Sequence, residues 1–541
     1  MKDKKGDLMS FTIRIYVVLA FLMIFSVAQA DSVADRALLK EGVKYYHQGQ
    51  YVNAAIIFHQ LTNLEKMSVD DKVRSNYYLG LSLFNLKLYQ ASSYPIINAI
   101  RSDSKKFKQK SLEKLIAISN KLGDQQMLDL AMTKMLVSDL EKLAVDVYYY
   151  KLASVSFEKN KLDQAIKHLK NSIGKNPKSE AALNLLALSY LKKNETDNAI
   201  ETYAKLLSLY ETKSNQDPKK GHILLNIARS YFQGKKFDEA AKAYRSIAKD
   251  NDAYRESLTE LAWTYLNLGK LRSALATLQT LHTPFYENYS EPESLVLRAI
   301  LHNYNCQFDE AELVVNTFNN NFASVLDILH SWTSQKNNVT DVLAEIGYAT
   351  EALKNISRDK KYGSELAKNY NGKIPFKIVR SILKNNSVES VVNTYTMVKN
   401  ESRLAKKYFS TSQSNLRPFL EKIYEGRVAF YKNQLANNFN QVVLNLEKNI
   451  TYYKQQMLFV NYEILEAKKS QMRTKALAEE KQAEGSEAEA KGSEESSEKE
   501  ELSEAPSDQP PVEILVKPEP PIKENHSRSH YVKNGYRYWP Y

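Results

Sequence analysis

The chain has 541 residues, with 75 Lys and Arg against 63 Asp and Glu, a net charge of +12 and a single cysteine. One thiol, Cys306, excludes an intrachain disulfide framework, so stability has to come from packing. No Gly-x-Ser-x-Gly elbow or His-Glu-x-x-His helix occurs, and Gly174-Lys175 lacks the upstream glycine of a phosphate loop. His526 and His530, four apart, lie in a segment whose composition supports no fixed fold. The reading is therefore of a non-enzyme with no cofactor and no metal.

The first thirty residues read as a signal peptide. Lys2, Lys4, Lys5 and Arg14 form a basic lead, residues 15–28 an apolar core too short for an ordinary membrane span, and Ala28-Gln29-Ala30 a small-x-small cleavage signal. Processing after Ala30 leaves a chain beginning at Asp31, in the periplasm or secreted, and envelope-associated. Retention of the segment as an anchor is the alternative. Nucleic acid is excluded as a partner for an exported chain.

A pattern at 34-residue spacing follows. Ala165 and Ala199 are 34 apart, as are Ala240 and Ala274. Twelve residues before each stands a small residue (Ala153, Ala187, Ala228, Ala262), and five before it a turn residue (Asn160, Asn194, Lys235, Gly269). Four after it comes a bulky one: Leu169, Tyr203, Tyr244, Leu278. Antiparallel helices approach closely only where small side chains meet, and this period marks a helix-turn-helix solenoid. Gly42, Tyr45, Gly49, Tyr51, Ala54 and Phe58 make a first copy, and Gly80, Leu83, Lys87, Tyr89, Ser92 and Ile96 a second. Residues 107–143 are helical in pattern but lack the alanine column, giving a degenerate third. Ala299, Cys306, Phe308 and Ala311 belong to the last. The expected fold is all-α, a solenoid of about eight hairpins over 31–325.

These residues resemble the tetratricopeptide repeat family, most closely over 146–325. The resemblance implies a binding module whose first helices line a concave groove. Carried over residue by residue, that groove holds Tyr77, Phe84, Tyr150, Phe157, Leu188, Phe232 and Trp263, with Asn184, Lys192, Arg229 and Asn267 as polar neighbours. The paired Lys, Asn and Arg set with which some members clamp a terminal carboxylate is incomplete here. The groove suits an extended or helical protein segment with apolar anchors.

Residues 326–415 keep a helical pattern without the repeat columns and read as a helical extension. Over 416–480 a long helix is expected, with Gly426 and Tyr424 offering a bend. Its stripe Phe439, Val443, Leu446, Ile450, Tyr453, Met457, Val460, Ile464 has coiled-coil spacing. That seam fits self-association through 436–467 or a fold back along the array. Between Glu479 and Asp508 twelve acids meet three lysines, and 481–525 reads as a disordered linker. Residues 526–541 read as a docking peptide, because Tyr531, Tyr536, Tyr538, Trp539 and Tyr541 crowd its end. The functional expectation is a periplasmic scaffold binding protein components of an envelope complex. The alternative is a binder of an anionic envelope polymer, such as peptidoglycan or lipopolysaccharide, through the basic helical body.

Overall fold

The computed structural model describes residues 34–64, 67–101, 105–123, 127–128, 145–283, 286, 291–335, 339–359, 370–410, 415–491, 532–533 and 536–537. The first hairpin pairs α1 (34–47) with α2 (Tyr51–Thr62). The second pairs α3 (Val69–Asn85) with α4 (Tyr89–Arg101), and α5 (Lys105–Leu122) opens the third. Residues 129–144, expected to complete the third hairpin, lie outside the described residues. Four further hairpins are α6 (Val145–Glu158) with α7 (Leu162–Lys175), α8 (Glu180–Lys192) with α9 (Thr196–Ser208), α10 (Pro218–Gln233) with α11 (Phe237–Arg245), and α12 (Ala253–Asn267) with α13 (Leu271–Leu281). The last joins α14 (Pro292–Tyr304) to α15 (Phe308–Ser334). Then come α16 (Val339–Asp359), α17 (Phe376–Leu383), α18 (Asn386–Tyr408) and the 76-residue α19 (Leu416–Lys491).

The turn residues explain why the hairpins close. Gly49, Lys87, Gly123, Asn160, Asn194, Lys235, Gly269 and Cys306 all adopt positive φ, between 55° and 75°. This left-handed residue ends a helix, because the next N–H then reaches a carbonyl five residues back. Lys161 N–H donates to Ser156 O, Glu195 to Tyr190, Lys236 to Tyr231, Lys270 to Tyr265 and Gln307 to His302. Gly supplies that conformation without a Cβ penalty and Asn with little, while Lys87, Lys235 and Cys306 adopt it at a cost. The small columns close the hairpins: Ala153, Ala187, Ala228, Ala262, Ala165, Ala199, Ala240 and Ala274 have no exposed surface. At Gly80 even a methyl group is too much, since a Cβ would come within 2.5 Å of Ile96.

The C-terminal half departs from expectation in four ways. First, α15 runs through residue 325 to Ser334, so the solenoid boundary falls inside a helix. Second, α19 runs on as one helix through Gly426. One exposed glycine costs about 1 kcal/mol, too little to break a helix packed on both sides of it. Third, α19 passes residue 480 and reaches Lys491, because this Ala-, Glu- and Lys-rich stretch favours helix over disorder. Fourth, the stripe from Phe439 to Ile464 is buried within the chain. It lies antiparallel to α15: Trp332 Nε1 donates to Asn440 Oδ1 (2.9 Å), Thr333 Oγ1 to Glu447 Oε2 (2.7 Å), and Lys468 Nζ to Glu312 Oε2 (2.6 Å). The seam is filled by the array, so self-association through 436–467 does not use it.

The start of α19 reaches the other end of the chain. Phe419 packs on His59 with ring centroids 5.0 Å apart, and Arg427 Nε donates to Gln90 Oε1 at 2.9 Å. Arg427 and Lys468 are separated by about 60 Å of helix. One continuous helix therefore connects the second hairpin to the eighth. A single apolar core accordingly includes Leu39 and Phe58, Phe318 and Trp332, and Phe439 through Ile464.

Candidate functional site

First helices of neighbouring hairpins touch directly, α3 with α5, α6 with α8, α10 with α12 and α12 with α14. That contact places them on the tighter, inner side of the array. The groove residues divide into two groups on this face.

Tyr150 and Phe157 lie seven apart on α6, and Asn184, Leu188 and Lys192 four apart on α8, so each set shares a helix face. All are partly or fully exposed. Lys192 Nζ stands 4.9 Å from the centre of the Phe157 ring, which ties the two helices through a cation–π contact. Desolvation there lowers the Lys192 ammonium's pKa below its ordinary value. The α6–α8 face therefore combines apolar surface, one amide and one partly desolvated cation.

The other residues are committed to repeat packing. Tyr77 packs on Phe107 at 5.3 Å, and Phe84 lies beneath Lys114 Nζ at 4.3 Å. Both join the core between the second and third hairpins. Arg229 is a correction to the expected groove: it is buried, its Nη2 donating to Glu256 Oε1 at 2.6 Å and its Nε to Glu260 Oε2 at 3.0 Å. Burial opposes its charge, but the two carboxylates outweigh burial and hold the guanidinium protonated. Phe232 is also withdrawn, packed edge-on against Phe237 at 5.1 Å in the core. Trp263 Nε1 donates to Glu293 Oε1 (3.0 Å), and Asn267 Nδ2 donates to Trp263 O (2.9 Å). The first bond ties α12 to α14, and the second lies within α12.

Two features went unread in the sequence. One is a ladder of ion pairs between repeats. Asp163, Asp197 and Asp238 each stand three residues after a turn residue, and pair with Lys193 (2.8 Å), Lys236 (2.6 Å) and Lys270 (3.4 Å) of the next hairpin. Asp309 stands in the same place after Cys306, and its partner is Lys468 of α19 at 2.8 Å. The long helix thus takes the place of a ninth repeat and caps the array. The turn-plus-three aspartate was the available signal. The other feature is a buried polar cluster where α4, α18 and α19 meet. Glu401 Oε2 accepts from Gln90 N–H (2.9 Å) and Tyr424 OH (3.2 Å). No local spacing announces contacts more than 300 residues apart.

Beside it, a cavity of about 530 Å³ is lined by His59, Asn63, Lys72, Asn76, Pro95 and Phe419. Among the described residues no cluster of three or more His, Cys, Asp or Glu is placed to hold a metal, and no helix is long and apolar enough to cross a membrane. The leader over 1–30 lies outside the described residues, as do Tyr531, Tyr538, Trp539 and Tyr541. Tyr536 lies in β2 (Tyr536–Arg537), paired antiparallel with β1 (Val532–Lys533).

Comparison with known proteins decides the family. Residues 150–218 and 225–282 match the family described as tetratricopeptide repeat. These stretches of the chain are tetratricopeptide repeats. Parts of solved structures resemble parts of it. The crystal structure of MamA protein is 17% identical, covering 32% of this chain and 90% of that one, with a TM-score of 0.27. YrrB, described as a TPR protein with an unusual peptide-binding site, is 13% identical, covering 34% and 90%, with a TM-score of 0.27. A thermophilic TPR protein of Thermus thermophilus is 20% identical, covering 34% and 94%, with a TM-score of 0.24. No curated protein matches the sequence. In this tetratricopeptide repeat protein the two matched stretches coincide with the best-formed columns, from α6 to α13.

Proposed function

We propose that this tetratricopeptide repeat protein is a non-catalytic periplasmic scaffold that holds a segment of a partner protein on the α6–α8 inner face and helps organise an envelope-associated complex. The observation that supports it is the division within the groove. Arg229 and Phe232 are buried in internal contacts, whereas Phe157, Asn184, Leu188 and Lys192 keep exposed surface on adjoining helices. Apolar anchors beside an amide and a partly desolvated cation suit an extended or helical peptide carrying hydrophobic side chains and an acidic group. The periplasmic setting rests on the leader sequence alone.

A photo-crosslinking residue at Leu188, activated in cells, tests the reading. It should yield adducts with a defined protein, while the same residue at the buried Arg229 position yields none. Phe157→Ala should reduce the Leu188 adduct by roughly tenfold, as loss of an aromatic anchor does. Absence of a protein adduct at Leu188, with salt-sensitive sedimentation of the protein on peptidoglycan or lipopolysaccharide, would favour the polymer-binding reading instead.

A further inference from the structure

The long helix α19 has two apolar faces, and the fold uses only one. On the flank that the buried stripe leaves open stand Leu458 (60% exposed), Tyr462 (62%), Leu465 (51%) and Met472 (69%), with Phe459 and Leu477 beside them. The first three recur at four- and three-residue steps, and Met472 follows seven on, so they form one stripe on the helix. These six account for half of the twelve large apolar side chains exposed among the described residues. Support from the body ends at Lys468, and every residue from 469 to 480 is exposed. A contiguous apolar stripe on an overhanging helix marks an interaction surface.

We propose that this face pairs with the same face of a second copy of the chain, antiparallel and centred between residues 467 and 468. The charges select the occupant and its direction. About that centre Leu458 meets Leu477 of the second copy, Glu466 meets its Lys469, and Tyr462 meets its Arg473. The unlike pair and the cation–π contact occur twice, once on each side of the dyad. A parallel pair would instead set Lys469 on Lys469 and Arg473 on Arg473. Within one chain Glu466 already stands near Lys469, at 3.8 Å and exposed on both sides. Such a surface pair is weak and exchanges readily for one between copies. The bodies lie on the outer sides of the two helices, since each buried stripe faces its own array. The α6–α8 face takes no part, so the proposal stands or falls apart from the functional reading above.

Sedimentation velocity of the full-length protein tests it. A concentration-dependent dimer is expected. Tyr462→Glu with Leu465→Glu should abolish it while leaving helical content and melting unchanged, because neither side chain belongs to the core. Glu466→Lys should weaken the dimer by roughly tenfold, the scale of a lost interface pair. Glu466→Lys with Lys469→Glu should restore it, and that compensation is particular to the antiparallel register. A monomer at every concentration overturns the proposal, as does a dimer indifferent to the double glutamate variant. So does a monomer that binds vesicles of anionic lipid through this face, or one that dimerises only when residues 527–541 are deleted; these would assign the stripe to a membrane or to the chain's own tail.

Discussion

The middle of the array and the C-terminal closure are both helical, yet they are held together in different ways. From α6 to α13 the cores are small and local: one runs from Ala153 to Ile227, the next from Leu225 to Leu261, the next from Leu258 to Leu301. Each hairpin contacts its neighbours, so stability there is a sum of near-neighbour terms. In the closure, residues separated by hundreds of positions share one core, from Leu39 to Ile464. The polar contacts differ likewise. The array carries exposed ion pairs at regular intervals and buries one, at Arg229, between neighbouring repeats, whereas the closure buries Glu401, Arg427 and Gln90 from distant parts of the chain together. A repeat array can be lengthened or shortened unit by unit; a chain whose ends are bridged by one helix cannot.

The largest expected effect tests the closure. Phe439 has no exposed surface and packs on Trp332 at 5.9 Å. Phe439→Ala should cost roughly 3–5 kcal/mol, and denaturant unfolding should separate into steps as the closure loosens before the array. In the array, Ala240→Leu overpacks a position where two helices touch and should cost roughly 1–3 kcal/mol. Hydrogen exchange should show that loss confined to α10–α13, leaving α19 protected.

The pH response sharpens the contrast. Burial pushes the Glu401 carboxyl up to about 8, although the Gln90 N–H and Tyr424 OH pull it back. Its folded pKa exceeds the unfolded value, so the native state holds the proton more tightly. The stability this contributes is full below the ordinary value of 4.5 and is lost as pH rises through about 8. Glu401→Gln should flatten that slope and make the protein more stable than wild type at pH 8. The array's exposed pairs should show no such dependence.

Smaller effects belong to the turns and the ladder. Lys235→Gly relieves a side chain held at a φ of 57° and should raise stability by up to about 1 kcal/mol. Lys236→Ala breaks an exposed, solvent-screened pair with Asp197 and should change stability least of all. Thermal melts of the two variants, run side by side, should rank in that order.

The array was legible because each of its contacts is made within one or two periods. Ala240 announces a close approach through its type and spacing, and Lys235 a turn through its spacing alone. The closure was not legible for a physical reason. The stripe from Phe439 to Ile464 has the same spacing whether its partner is another chain or α15, and nothing in a period says which. Arg229 occupies a groove column, but its carboxylates at Glu256 and Glu260 come from the next repeat and turn it inward. Phe157, Asn184, Leu188 and Lys192 keep part of their surface exposed, with Lys192 set over the Phe157 ring of the neighbouring helix.

The central claim is that α19 bridges the second hairpin to the eighth within one chain, and a crosslink tests it most directly. Cysteines at Glu312 and Lys468, whose side chains meet at 2.6 Å, are introduced with Cys306→Ser and treated with a short bifunctional maleimide. The account predicts rapid crosslinking within a single chain, independent of protein concentration, and the same for a Gln90 and Arg427 pair. Crosslinks that form only between chains, or none at either pair, would contradict it.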